Sequence, residues 1–398
     1  MRILTNSRKR FGLKLIVLVA AFALVAAACG DDDTAATPAP APAATPAPTP
    51  APTPAPTDAP GPDATAPPAT PAPTPAPTPA PTTPPEPANI VFQLDFFTFN
   101  GYHNAAHVAE AMGWFAEENL NVEILEGAGS TATAQFVGEG ESTFGMVVGT
   151  TIIDAVAAGI PIISVAQHLK FSGFCAIVLP DSGITSPAEL RGRTLANPPY
   201  GASGPLLPAF LDGYGMTTDD VDMVSIGETA AAVALLEGLT DTWVSTLFGF
   251  PIQFKEENGI DPLCFPFSDV NADPVGWGIV ANTQYVADNP DVVERFLRAF
   301  LKGWKYTLEH PLESSEITVA AVPTTTAATT GAASLQFILD FGLAPFATAD
   351  LPFAGHNEAD WQNSLILADT YLGLERVPTM DELFTNEFLP SAEEIESG

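Results

Sequence analysis

Twenty-two of the chain's 40 prolines fall between residues 34 and 88, and this clustering constrains the fold more than any other feature. Proline fixes φ and has no backbone N–H, so a run such as Pro71-Ala72-Pro73-Thr74-Pro75 cannot enter a helix interior or a sheet. Thr34 to Ala88 is a low-complexity Ala/Pro/Thr tract that favours extended polyproline II. At ~3.1 Å per residue it could reach on the order of 170 Å when stretched, which makes it a spacer. Any core must therefore come from residues 89–398. That length suffices for one large or two small α/β lobes.

The segment before the tract is of another kind. Arg2, Arg8, Lys9, Arg10 and Lys14 are basic, no acid precedes Asp31, and Leu15 to Ala28 is an unbroken apolar run. The run is too short for a comfortable transmembrane helix and ends in small residues, the pattern of an export signal at residues 1–28. It closes on Val25-Ala26-Ala27-Ala28-Cys29, followed by Gly30 and three aspartates. This resembles the bacterial lipobox, which implies cleavage before a diacylglyceryl-modified Cys29. An ordinary signal peptide with an incidental Cys29 is the alternative; a cysteine at the apolar/acidic junction favours the lipid. Two or more buried acyl chains hold a protein at a membrane far better than one. The expectation is a tethered, extracytoplasmic protein.

Charge excludes one class of partner. After residue 30 the chain carries 9 cations against 47 acids, a formal −38, so a nucleic-acid backbone would be repelled.

From Asn89 short apolar runs alternate with helical periods. Ile90–Leu94, Val122–Leu125, Phe144–Val148, Ile160–Val165, Thr194–Ala196 and Met223–Ile226 read as strands. Asn104–Glu117, Thr131–Val137, Thr150–Ala158, Pro205–Tyr214 and Thr229–Glu237 read as helices, the first with Ala105, Val108, Ala109, Met112 and Phe115 on one face. Val286–Glu309 reads as a helical stretch opened at Asn289-Pro290. Repeated β-α-β units with short loops predict open, mainly parallel sheets covered by helices, with ligands at the strand carboxyl ends.

Four segments in order carry a family resemblance: Leu94-Asp95-Phe96-Phe97 through Asn119-Leu120-Asn121-Val122; Gly127-Ala128-Gly129-Ser130-Thr131 through Gln135 and Gly145; Ser186 through Thr194; and Leu235-Leu236-Glu237-Gly238 with Asp241. Over roughly residues 90–310 the chain resembles the NitT/TauT class of ABC-importer substrate-binding proteins. That class includes binders of sulfonates, nitrate, taurine and the thiamine pyrimidine. The resemblance implies an α/β, type II periplasmic-binding-protein-like clamp of two lobes joined by hinge crossovers. Lobe 1 is expected at 89–178 and 275–398 and lobe 2 at 179–274, with Val275–Ala281 as the returning strand. The implied partners are a small-molecule ligand, an ABC permease and its ATPase, and a membrane through the anchor; the protein is expected to be a monomer without a cofactor.

Candidate ligand residues sit in the loops. Phe96, Phe97, Phe99 and Tyr102 offer faces for a conjugated ring, with Phe97 and Tyr102 retained as candidates because others belong in a core. Asn100 and His103 can hydrogen-bond ring nitrogens or amines, and the resemblance favours both. Ser130, Thr131, Thr150 and Thr151 stand where strands give way to helices, as N-caps or as polar contacts. In Pro198–Gly204, Tyr200 could cover a ring and Ser203 could hydrogen-bond it. Trp243 and Phe248 lie in WVSTLFGF (243–250), expected near the second hinge crossing, and either line the cleft or pack a core; Trp277 ranks below them. His103, His107 and Glu110 have a spacing that can ligate zinc, but no His-Glu-x-x-His accompanies them, so no metal site is expected. Cys175 and Cys264 could pair after export or remain buried thiols.

Among functions, capture and delivery of a solute ranks first. Few cations and many aromatics favour a planar heterocycle such as a thiamine-precursor pyrimidine, with riboflavin next and a sulfonate-, nitrate- or taurine-type anion third. A pyrimidine-synthesis enzyme of the same fold family is the alternative from another class. Scarce lysines, unclustered cysteines and the export signal weigh against it, as does the lack of a convincing acid/base pair. An adhesive domain on a stalk would explain the spacer but not the two-lobed pattern.

Overall fold

The computed structural model describes residues 85–99, 101–198, 202–348 and 350–396. Cys29, the signal segment, Asn100 and Tyr200 lie outside the described residues. The described chain belongs to one unit, Ala80–Gly398.

Strand β1 (Ala88–Gln93) leads through a loop to helices α1 (Asn104–Ala111) and α2 (Trp114–Glu117), then to β2 (Leu120–Leu125). Helix α3 (Ser130–Glu139), β3 (Phe144–Val148), α4 (Gly149–Ala157) and β4 (Ile162–Gln167) follow. The chain then crosses to β5 (Phe174–Val178), β6 (Thr194–Ala196), α5 (Leu207–Asp212), β7 (Asp222–Val224), α6 (Glu228–Leu236), β8 (Thr242–Thr246), α7 (Phe250–Asn258) and β9 (Leu263–Pro266). It returns at β10 (Trp277–Asn282) and ends in helices, chiefly α8 (Thr283–Asp288), α9 (Pro290–Glu309), α10 (Pro311–Ala321), α11 (Ala328–Asp340) and α12 (Glu358–Tyr371).

Two five-stranded sheets result, in the orders β2-β1-β3-β10-β4 and β7-β6-β8-β5-β9. Parallel ladders join β1 to β2 and β3, while β10 runs antiparallel to β3 and β4. The second sheet repeats the arrangement, with β5 as its reversed strand. Each sheet is therefore mainly parallel and holds one strand delivered by a crossover. Every residue of β3 and β5 is buried, as expected of strands covered on both faces.

Helix α9 seals the first sheet. Its apolar residues recur at helical spacing, Pro290 opens it, and Phe296 stacks on Phe144 at 4.0 Å while Phe92 meets it edge-on at 5.3 Å. Among the described residues no helix is long and apolar enough to cross a membrane.

Several sequence expectations need correction. The helix expected over 104–117 breaks at Met112-Gly113, where Gly113 has φ 78°, and Met112 is exposed rather than on the buried face. A Cβ at Gly113 would meet nothing within 4 Å, so only the backbone conformation penalises a side chain there. Gly113→Ala should lower stability by about 1 kcal/mol in urea unfolding. Strand β5 belongs to the second sheet, so that sheet begins five residues before the expected boundary at 179. The 243–250 tract is not at a hinge crossing: it runs along β8 into α7, and the crossing back follows β9. The C-terminal helices do not stay on the first lobe, because Ser334 on α11 donates to the Phe248 carbonyl at 2.6 Å and Tyr371 on α12 donates to Asp212 at 2.7 Å.

The crossings run side by side. Phe171 bridges Val275, and Ser172 N–H donates to the Pro274 carbonyl at 3.0 Å. The Asp273 carboxyl takes the Gly173 N–H at 3.0 Å and the Ser172 hydroxyl, and burial pushes it up to about 6.

Candidate functional site

A cavity of about 330 Å³ opens between the two sheets, at the carboxyl ends of β1, β6 and β8. Its first-lobe wall is Asp95, Phe96, Phe99, Tyr102 and the Ala128-Gly129-Ser130 turn; Trp277 stands where the chain returns. Its second-lobe wall is Phe174, Pro198, Ala202, Ser203, Gly227, Glu228, Ser245, Thr246 and Phe250. No lysine or arginine is among these lining residues.

Asp95 organises the first wall. It stands two residues past the end of β1 and is buried, which obliges its carboxyl oxygens to find donors. Trp277 Nε1–H donates to Oδ2 at 2.6 Å, and the Tyr102 hydroxyl reaches both oxygens at 3.1 and 3.2 Å. His103 Nδ1 accepts the Phe99 N–H at 3.3 Å, which leaves Nε2–H to donate to Asp95 Oδ1 at 2.9 Å. The carboxyl thus locks two aromatic rings of the cavity in place. Burial first, and then the Asp95 charge, push the Tyr102 phenol well above its ordinary range, so the phenol stays a donor. The second loop lies flat on this residue: Gly129 N–H donates to the Asp95 carbonyl at 2.7 Å. Glycine is required there, since Gly129 has φ 123° and a Cβ on Gly127 would stand 2.1 Å from the Leu94 carbonyl oxygen.

Glu228 occupies the opposite wall at the start of α6, partly open to the cleft. Its Oε1 accepts the Ser245 hydroxyl at 3.1 Å, and no other hydrogen bond from a described residue reaches this carboxyl. Loss of water around the group pushes it up to about 7; the Asp95 charge adds to this and the Ser245 hydrogen bond opposes it. Two carboxyl groups therefore face one aromatic chamber in different states of satisfaction. Asp95 is saturated by protein donors, whereas Glu228 has one oxygen that no described residue bonds and holds its proton near neutrality.

The sequence candidates divide accordingly. Tyr102, Ser130 and Ser203 line the cavity; Ser130 Oγ accepts the Val148 N–H and Ser203 Oγ donates to the Val244 carbonyl. His103 is one layer behind, acting on Asp95. Phe97 packs at a tilt, 4.2 Å between ring centres, on Phe96, which takes the place on the wall. Phe248 is buried behind Tyr102 and Trp277, and Trp243 packs in the second-lobe core against Phe250 at 4.7 Å. Thr131, Thr150 and Thr151 are not on the cavity wall. Asn100 and Tyr200 lie outside the described residues. Of the zinc-spaced group, His103 bonds Asp95, His107 bonds Thr98 at 3.1 Å and Glu110 is exposed. Among the described residues no cluster of three or more His, Cys, Asp or Glu is placed to hold a metal ion.

Sequence reading missed Asp95, Glu228, Ser245, Phe174 and Phe250, and ranked Trp277 too low. An acid immediately after a buried strand was a usable signal for Asp95. Glu228 at a helix start reads from sequence as an ordinary dipole partner, and nothing local distinguishes it.

A second arrangement looks catalytic and is not placed to act so. Ser164 Oγ lies 2.8 Å from His356 Nε2, and His356 Nδ1 lies 2.9 Å from Asn386 Oδ1, in the order of a nucleophilic triad. Ser164 is fully buried, and the three together clip the C-terminal segment to β4, where Ser164 also bridges Phe384.

The NMT1/THI5-like family model matches residues 100–314, more than half of the chain. The chain belongs to the NMT1/THI5-like family. Among relatives of this NMT1/THI5-like chain, a formylaminopyrimidine-binding protein of Halalkalibacterium halodurans is 24% identical over 72% of the chain and 87% of its own length. The riboflavin-binding protein RibY of Chloroflexus aurantiacus is 28% identical over 71% and 81%. A 4-amino-5-hydroxymethyl-2-methylpyrimidine phosphate synthase of Candida albicans is 30% identical over 54% and 66%. In structure, the family member superimposes on the periplasmic aliphatic sulphonate-binding protein SsuA of Escherichia coli with a TM-score of 0.60 at 15% identity, covering 75% of this chain and 92% of SsuA. The two-lobed periplasmic-binding-protein fold is thereby established, in agreement with the resemblance read from residues 90–310.

Proposed function

We propose that this chain is the solute-binding component of an ABC importer and captures a small planar heterocycle of the aminopyrimidine class. The observation that carries this reading is the wall chemistry: six aromatic rings and two carboxyl groups, with no lysine or arginine. Aromatic faces suit a flat ring. Glu228 can make a two-point contact with a ring nitrogen and its neighbouring amine, one proton being shared between acid and heterocycle. A sulfonate or nitrate would meet the wrong sign of charge. At ~4 Å from a carboxylate and an effective dielectric near 20, the repulsion is on the order of 4 kcal/mol. The formylaminopyrimidine-binding relative supports the class.

A flavin is the second reading, supported by the RibY relative. The chamber's roughly 330 Å³ stands at the low end of ligand cavities, ~300–1,000 Å³, which favours a single ring. Turnover is not part of the proposal: among the described wall residues no lysine could hold a carbonyl cofactor. Export, attachment through a lipid on Cys29, the 34–88 spacer and a permease partner complete the reading.

A thermal-shift panel tests it. At a hundredfold excess over Kd a ligand stabilises by about 2.7 kcal/mol, so an aminopyrimidine should raise Tm measurably while taurine, alkanesulfonates and nitrate leave it unchanged. A shift with the anions alone would overturn the ligand class, and consumption of a bound pyrimidine would overturn the binding role.

A further inference from the structure

Cys175 on β5 and Cys264 on β9 occupy neighbouring strands at one edge of the second sheet, the first and last of its strands along the chain. The strands are antiparallel, with Ile177 opposite Cys264 and Cys175 opposite Pro266, so the cysteines form a diagonal pair on one face. Their Sγ atoms lie 2.8 Å apart. That is closer than two unbonded sulfur atoms rest, and only about 0.8 Å beyond an S–S bond of ~2.05 Å.

We infer that Cys175 and Cys264 form a disulfide in the mature protein and close the second lobe into a covalent ring. The two positions are 89 residues apart, and the ring takes in β5 through β9. In the chain-entropy account, a bridge closing so long a loop removes much freedom from the unfolded state. The bridge also sits directly behind the ligand cavity. Phe174, beside Cys175, lines the cavity, and Ser245, which holds Glu228, pairs across the ladder with Cys175.

The step requires an oxidant, and a disulfide of the extracytoplasmic thiol–disulfide system supplies it, so the inference rests on the export reading. Cys264 is half-buried and accessible, whereas Cys175 is fully buried and burial raises its thiol well above the ordinary range. Cys264 as thiolate therefore attacks first, giving a mixed disulfide and releasing one thiol of the oxidant. Cys175 then displaces the second thiol. The two protons and two electrons lost by the cysteines end in the two thiols of the reduced oxidant.

The full chain, extracted from membranes with detergent, is denatured with free thiols alkylated, digested, and analysed by mass before and after reduction. The expected result is one linked pair of peptides containing residues 175 and 264, about 2 Da lighter than their sum and separated by dithiothreitol. Reduction should also lower Tm by on the order of 5 °C and weaken binding of the aminopyrimidine probe several-fold. Cys264→Ser should reproduce the Tm loss and leave Cys175 alkylatable. Reduced protein that remains doubly alkylated after equilibration with oxidised glutathione overturns the inference. A bridge that forms in that equilibration but is missing from cell-derived protein retains the pairing and overturns the export reading instead.

Discussion

Replacing Asp95 with alanine is expected to cost the protein both its ligand and a large share of its stability. The carboxyl accepts from Tyr102, His103 and Trp277, all three buried, and alanine would leave those donors without partners. Each unsatisfied buried donor costs ~1–3 kcal/mol, so for three donors the loss should be on the order of 3–9 kcal/mol. A protein of ordinary stability has only ~5–15 kcal/mol in total. Urea unfolding should show a far lower midpoint with an unchanged slope. Asparagine at this position restores one acceptor but turns an amide N–H toward another donor, so it should recover less than half of the loss. Binding falls with stability because Tyr102 and Trp277, released from the carboxyl, no longer hold their rings against the ligand. A loss under about 1 kcal/mol for Asp95→Ala would show that the network does not position the wall.

The second large effect is on the pH dependence of binding, through Glu228. Among the described residues the groups facing this carboxyl are the Ser245 hydroxyl, Asp95 and Tyr102, and desolvation is the main reason its pKa rises to about 7. A complex in which acid and heterocycle share one proton must take that proton up when the free site has lost it. Affinity should therefore be flat below about pH 7 and fall about tenfold per pH unit above it, near 1.4 kcal/mol each. Glu228→Gln carries a permanent donor and acceptor, so it should bind within a few-fold of the native protein at pH 6 and lose the dependence above 7. Glu228→Ala should weaken binding about 30- to 100-fold at pH 6, because the ring's polar edge then meets no partner. Isothermal titration from pH 6 to 9 checks all three; affinity that rises with pH would exclude the shared proton. For the unliganded protein the sign is fixed by the same shift. A carboxyl raised on folding favours the native state while protonated, and that contribution is lost as pH rises from the ordinary carboxylate range through about 7.

Much of the architecture was legible because it is local. Strands at Phe144–Val148 and Thr194–Ala196 stand where apolar runs predicted them, and Asn289-Pro290 opens the long helix as expected. Those features depend on residues a few positions apart, which is the range over which periodicity and capping operate. The break at Gly113 was also local, and the apolar periodicity running through it concealed the stop. The site was legible only where a residue's own loop exposes it, as for Tyr102, Ser130 and Ser203.

What the sequence determined by itself is the division of composition along the chain: a basic and apolar first segment, a proline-rich tract, and an acidic α/β portion with ordered family motifs. Tertiary structure decided which side chains face the cleft. Asp95 and Trp277 are 182 residues apart, Glu228 meets Ser245 only because α6 packs against β8, and Cys175 meets Cys264 only because β5 pairs with β9. The reason is that a cleft at the ends of two sheets is assembled from strand termini brought together by crossovers. For Phe174, Phe250 and Trp277, whether the ring is wall or core depends on that distant geometry and not on the residues beside it.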